Sequence, residues 1–240
     1  MKFFTKEWYL NLVSSLVCFD LKKSERASRA DQKYYNSLYM SQEKWYLRHK
    51  KSASRHENIK FDIEQAKLEF GKQIEENLDF LKANLPSSLW ESMPDERFLA
   101  LGVADYTTVD AITRYCGELS RKCDKVQKEY ENNCESVAES IGWYAINSLE
   151  KLVNARICSI DVSQDIITLK TSPENTGIAC KVVLSGAKKT SSDNLLSAYV
   201  LYPELLSEGE KYVLNLLCEG ENKALIEFSA EFDTIEIEEI

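Results

Sequence analysis

The chain has 240 residues, 44% hydrophobic and 29% charged, a globular composition that allows one large domain or two small ones and excludes wholesale disorder or a fibrous repeat. The net charge of −9 is unevenly placed: residues 154–240 hold 7 Lys+Arg and 15 Asp+Glu (7 − 15 = −8), and residues 1–153 hold 23 and 24 (23 − 24 = −1). No window of about 18 apolar residues occurs, and Glu7 and Asn11 fall where a signal peptide would be apolar, so the expected location is the cytoplasm, without a membrane partner.

The first element is a helix with Thr5 as N-cap and Trp8, Leu12, Leu16 and Phe19 on one face. Residues 22–27 read as a connection. A second helix, Arg26 to Lys51, carries the stripe Ala27, Ala30, Tyr34, Leu38, Ser41, Trp45 and Arg48, widened by Tyr35, Tyr39 and Tyr46. Residues 22–60 hold 11 Lys+Arg against 4 Asp+Glu (11 − 4 = +7), and Arg48, His49, Lys50, Lys51, Arg55 and His56 form a basic patch. Cations interleaved with aromatic rings are used by single-strand nucleic-acid grooves, but a helix that buries its rings and solvates its lysines has the same composition, so no nucleic-acid partner is assigned. Lys50 and Arg55 beside the two histidines oppose a metal ion there.

Asn58 to Asn84 reads as a third helix, with Ile59, Ile63, Ala66, Phe70, Ile74, Leu78 and Leu81 in one stripe and Pro86 after its end. Asp95 to Gly102 is a short helix. Thr107 or Thr108 then caps a long one, on which Ile112, Cys116, Leu119, Cys123, Val126, Tyr130, Cys134, Val137 and Ile141 recur every three or four positions. That stripe places three of the seven cysteines as small buried hydrophobes, and no Cys-x-x-Cys pair occurs, so neither a metal nor a cofactor is assigned. Glu139 to Val153 continues helical after a kink at Gly142. The expectation for residues 1–153 is a bundle of about five helices.

Between Leu149 and Val162 the apolar period changes from helical to extended. Strands are expected at Ile157–Val162, Ile166–Thr171, Ile178–Leu184, Leu195–Tyr202 and Tyr212–Leu217. Ser163-Gln-Asp, residues 172–176, residues 186–194 and Pro203 to Glu210 read as turns or loops. In the last segment Ile226, Phe228, Ala230 and Phe232 alternate inward, and after Thr234 the phase flips to Ile235 and Ile237, which predicts a bulge or bend. The fold class is therefore α+β, an N-terminal helical domain (1–153) followed by a β-rich domain (154–240), the latter a mostly antiparallel sheet or small barrel. No Gly, Pro or flexible run separates them, so they are expected to share an interface.

Several stretches, in order, carry a family resemblance: Met1-Lys-Phe-Phe-Thr-Lys-Glu-Trp-Tyr9, Tyr34-Tyr35 to Leu38-Tyr39, Phe61 to Phe70, Leu85-Pro86, Asp95 to Gly102, Tyr115-Cys116, Leu201-Tyr-Pro-Glu204 and Tyr212 to Leu217. With these the chain resembles, over nearly its whole length, a family of uncharacterised Gram-positive bacterial proteins of unknown function. The resemblance implies a His-Asp pair before the first strand and a His inside the Tyr212 strand, a trio suited to metal or acid–base work. Those places hold Val153, Asn154 and Asn215, so that site is not carried over.

Catalysis has little support, because no nucleophile elbow, Gly-rich phosphate loop or paired metal-ligand spacing occurs. The expectation is a non-enzymatic protein-interaction module whose acidic β-rich surface, with Tyr199, Tyr202, Glu204, Glu208 and Tyr212, meets a basic partner protein. The alternative is an enzyme or a small-ligand or metal-binding protein with a site where helices meet strands. A pocket of convergent carboxylates, asparagines and aromatics around Asn154 and Asn215 would favour the alternative.

Overall fold

The computed structural model describes residues 1–18, 21–57, 59–172, 178–189 and 195–240. Phe19, Asn58 and the expected loop positions 173–176 and 190–194 lie outside the described residues. The chain is α+β: a helical N-terminal region is followed by an eight-stranded antiparallel sheet. It divides into two compact units, Leu10–Arg121 and Met1–Tyr9 with Lys122–Ile240. The eight-stranded sheet begins at Arg156, where the period change placed it, whereas the limits of the compact units fall inside two helices, α1 (Lys6–Ser15) and α5 (Tyr106–Ile141).

In the Leu10–Arg121 unit, α2 (Gln32–His56) starts later and runs longer than its stripe suggested. Asp31 sets the start by accepting a hydrogen bond from the Tyr34 amide, and Glu25–Arg29 winds as a separate 3-10 turn ending on left-handed Ala30. α3 (Ile63–Asn84) begins after Asp62, whose carboxylate accepts from the Glu64 and Gln65 amides. That cap leaves Ile59 outside the helix and exposed, while Ala66, Phe70, Ile74 and Leu81 are buried. Leu16 also sits outside its expected helix, in a 3-10 turn, and is exposed. α4 (Arg97–Ala100) buries Phe98 and Leu99. The expected connection at 22–27 contains a strand, β1 (Lys22–Lys23), parallel to β2 (Val103–Ala104).

α5 is capped by Asp105, not by a threonine: its carboxylate accepts from the Thr108 amide at 3.0 Å and from the Thr108 hydroxyl at 2.6 Å. The cysteine stripe is buried as its period required, with Ile112, Cys116, Leu119, Cys123, Cys134 and Val137 inside. α5 ends at Ile141, and Gly142, at φ +86° and ψ 149°, breaks the helix before α6 (Trp143–Leu149).

In the other unit the strands are β3 (Arg156–Ser163), β4 (Ile166–Ser172), β5 (Cys180–Ser185), β6 (Lys188–Lys189), β7 (Tyr199–Glu208), β8 (Lys211–Glu219), β9 (Leu225–Phe232) and β10 (Thr234–Glu239). Their order is β10-β5-β4-β3-β7-β8-β9-β6. β6 continues β5 and β10 continues β9, and one register serves both pairings, with Thr234 opposite Ser185 and Glu231 opposite Lys188. The ring of pairings therefore closes into a small barrel. The phase flip lies at Asp233, between β9 and β10, with Phe232 and Ile237 both buried. Opposite it, Gly186 adopts φ +64°, and a Cβ there would lie 1.9 Å from Asp233 Oδ2. Only glycine fits that close approach without movement.

The barrel is filled by Ile157, Leu169, Val182, Leu184, Leu214 and Phe228 among others, joined by Cys134, Val137, Ile146 and Leu149 from the helices. Pro203 to Glu208 belongs to β7 and is not a loop, and the turn is only Gly209-Glu210. Beyond Tyr199 no β3 pairing borders β7, so Pro203's missing N–H costs no ladder bond. Helix α5 covers that free edge instead: Leu205 N donates to the Tyr130 hydroxyl at 3.3 Å, and Asn133 Nδ2 donates to Leu205 O at 3.0 Å.

Candidate binding cleft on the barrel unit

The outer face of β7 and β8 carries a buried carboxyl. Glu204, opposite Asn215 in the ladder, has no exposed surface. Its Oε1 accepts from Lys2 N at 2.8 Å and from Asn215 Nδ2 at 3.3 Å, and its Oε2 accepts from Phe3 N at 3.1 Å and Phe4 N at 3.2 Å. Three consecutive backbone amides are thus drawn onto one side chain some 200 residues away in sequence. Glu227 adds a second tether by accepting from Lys6 N at 3.1 Å. A buried carboxyl needs such a set of donors to offset its lost hydration.

The tether presses the first residues against aromatic rings. Phe4 meets Tyr130 edge-on at 4.6 Å between centroids, and Tyr202 meets Trp8 at 4.8 Å. Trp8 Nε1 donates to Cys123 O at 3.4 Å, which satisfies the one polar atom of its buried ring.

Next to this cluster lies a cleft of about 360 Å³, at the small end of the roughly 300–1,000 Å³ usual for ligand pockets. Phe4, Tyr130, Tyr202, Ile146 and Leu149 supply its apolar and aromatic lining. Glu131 and Glu135 of α5 and Glu150, just after α6, are exposed around it, as is Trp143, 53% exposed. Gln127 and Asn147 are its amide side chains, and among the described residues no lysine, arginine or histidine lines it. Gly142 makes this arrangement possible: by ending α5 it lets α6 turn and bring Trp143, Asn147 and Glu150 opposite Glu131 and Glu135.

The electrostatics inside follow from that lining. Burial pushes the Cys134 thiol up, and the charges of Glu131 and Glu150 push the same way against the Tyr130 hydrogen bond. Tyr130 is held far above the usual phenol range, first by burial. Both groups stay neutral at physiological pH, so the cleft holds no thiolate or phenolate nucleophile. It can solvate a cation: rings offer their faces and three carboxylates offer charge.

The five sequence-designated interaction residues are dispersed. Tyr202 lines the cleft, and Glu204 lies buried beneath the N-terminal segment, removed from any exposed acidic face. Glu208 borders a second, smaller cleft of about 220 Å³ with Met1, Lys2, Asn215 and Glu231. Tyr199 sits at the β3–β7 junction opposite Arg156, and Tyr212 packs on Phe232 at 5.9 Å. Asn154 and Asn215 are not brought together: Asn154 is an exposed left-handed turn residue, and Asn215 is buried against Glu204. Arg48, His49, Lys50, Lys51, Arg55 and His56 are all exposed on α2, with Lys50 paired to Glu69 at 3.0 Å.

Glu131, Glu135, Trp143 and Glu150 were not singled out from the sequence. Their signal was present as carboxylates one helical turn apart, followed by a glycine and an exposed tryptophan, but any solvated helix face offers the same letters. In comparisons with family models, curated proteins and solved structures, nothing matches the chain.

Proposed function

We propose that the chain is a protein-interaction module and that the barrel unit's cleft receives a lysine or arginine side chain of a basic partner protein. The observation that carries this reading is the lining: three exposed carboxylates and a half-exposed tryptophan around an aromatic floor, with no cation among them. The excess of acid over base in residues 154–240 supports it, since it steers a basic surface toward this unit. The neutral thiol and phenol favour binding over nucleophilic catalysis.

The test uses the full chain and synthetic peptides identical except for a central Arg, Lys, Gln or Glu. Arg and Lys peptides bind, and the triple variant Glu131→Gln, Glu135→Gln, Glu150→Gln loses most of that binding. Raising the salt toward 1 M, where the screening length is about 3 Å, weakens it further. Equal binding of the Gln peptide, or an unaffected triple variant, overturns the reading. Saturable binding of a free small amine with no binding of the Arg or Lys peptide would move it to the small-ligand class.

A further inference from the structure

The Leu10–Arg121 unit carries a groove of about 860 Å³ that is unlike the acidic cleft in every respect. Two helices form its walls. From α2 come Leu38, Ser41, Gln42, Trp45 and Tyr46, and from α3 come Phe70, Gln73, Ile74, Asn77, Phe80 and Leu81. Both sets follow steps of three and four, so each helix turns a continuous row toward the same opening. The floor is the chain from Leu99 to Val103, where Leu101 O accepts a hydrogen bond from Gln42 Nε2 at 2.8 Å.

The rows are only half used. Phe70, Ile74 and Leu81 are buried, whereas Trp45 is 62% and Phe80 48% exposed. Two large rings, one from each helix, are thus exposed over the same groove.

Charge decides what the groove accepts. Among the described residues its single charged lining residue is Lys22. One turn beyond Trp45 the α2 row continues into Arg48 and His49, the latter's ring 4.0 Å from the Trp45 ring between centroids. Arg48 and Lys22 form no ion pair among the described residues. On the α3 side Glu69 and Glu76 are engaged by Lys50 at 3.0 Å and Lys72 at 3.3 Å. Among the described residues that line or border the opening, Lys22 and Arg48 are thus cations without an ion pair, while Glu69 and Glu76 are engaged.

We infer that this groove docks an amphipathic α-helix of a partner protein, its apolar stripe against Trp45 and Phe80 and its flanks acidic. A helix is the matching shape because ridges at three and four spacing accept the same spacing. Phe70 to Leu81 spans about 16 Å at 1.5 Å per residue, which corresponds to about three turns of partner helix. This surface is independent of the acidic cleft and of the function proposed for it.

The probes are two fluorescein-labelled helical peptides of three to four turns with the same leucine stripe, one flanked by Glu and one by Lys, titrated into the full chain by anisotropy. The Glu peptide binds at least about tenfold more tightly, a difference of ~1.4 kcal/mol. Trp45→Ala weakens it and Arg48→Glu reverses the preference, while both variants leave Arg-peptide binding at the barrel cleft unchanged. Both substitutions are at exposed positions, so melting stays near wild type. Equal or preferred binding of the Lys peptide, indifference to Trp45→Ala, or a concentration-dependent dimer abolished by Trp45→Ala would each overturn the inference, the last by assigning the groove to a second copy of this chain.

Discussion

Removing the Glu204 carboxyl is the sharpest perturbation available, because four donors depend on it and none has another acceptor among the described residues. Each buried donor left unpaired costs about 1–3 kcal/mol, and backbone amides, unlike side chains, cannot rotate toward water. Two of the three amides, those of Phe3 and Phe4, are buried and that of Lys2 is only partly so, and Glu204→Ala loses on the order of 2–6 kcal/mol, a large part of the ~5–15 kcal/mol that holds a typical protein folded. At roughly 2–4 °C per kcal/mol, the melting temperature falls by at least about 4 °C. Glu204→Gln is the more discriminating change. Its single oxygen can serve the Phe3 and Phe4 amides, but its NH2 then faces Lys2 N and Asn215 Nδ2, donor against donor. An intermediate loss is expected, together with faster amide exchange at Phe3 and Phe4 by NMR and weaker Arg-peptide binding, because Phe4 lines the cleft. Glu208→Ala, at an exposed hairpin position, serves as the control and stays within about 0.5 kcal/mol of wild type. The reasoning fails if Glu204→Ala melts within about 2 °C of wild type and the amides of residues 2–4 exchange no faster.

Other outcomes follow from individual residues. Gly186→Ala forces a Cβ into left-handed backbone and onto Asp233, which destabilises by about 1–2 kcal/mol in chemical denaturation; adding Asp233→Ala removes the contacts with the carboxyl but leaves a tight Cβ contact at 3.0 Å and the backbone strain. Asp105→Ala removes the α5 cap for about 1 kcal/mol by the same assay. Burial pushes the Cys218 thiol from 9.0 up to about 12. Between those values the unfolded chain releases a proton that the folded chain keeps, so stability is complete below about pH 9 and falls as pH rises toward 12. Cys218→Ala flattens that alkaline slope in melting curves recorded from pH 8 to 11. In native protein Cys158, which is exposed, reacts with a thiol reagent before Cys116, Cys123, Cys134, Cys180 and Cys218, as read by peptide mass mapping.

What could be read from the sequence was whatever has a period. The α5 stripe is buried at Ile112, Cys116, Leu119, Cys123, Cys134 and Val137 and half-buried at Val126 and Tyr130, and the flip between Phe232 and Ile237 is a real break between two strands, since burial of one face leaves a regular trace in the letters. Pro203-Glu-Leu-Leu-Ser-Glu208 was misassigned because proline and clustered glutamates are local turn signals, whereas here a free sheet edge tolerates the proline. Glu204 was placed on a solvent-facing acidic surface for the same reason. Its partners are amides of residues 2–4, and a backbone amide has no sequence signature. The cleft went unseen because it depends on the turn at Gly142, which brings Glu150 and Trp143 opposite Glu131 and Glu135. These four residues also precede the acidic stretch 154–240. The basic patch was visible as composition, but the groove next to it arises only when α2 and α3 lie side by side.

The most direct test of the barrel cleft as a receptor for a basic side chain is an NMR titration of the full chain with the Arg peptide, observing the tryptophan indole N–H signals. The account predicts that the Trp143 indole shifts in a saturable manner, that those of Trp45 and Trp90 stay in place, and that the Glu131→Gln, Glu135→Gln, Glu150→Gln variant shows no shift. A saturable shift confined to Trp45, or a Trp143 shift that persists undiminished in the triple variant, would contradict it.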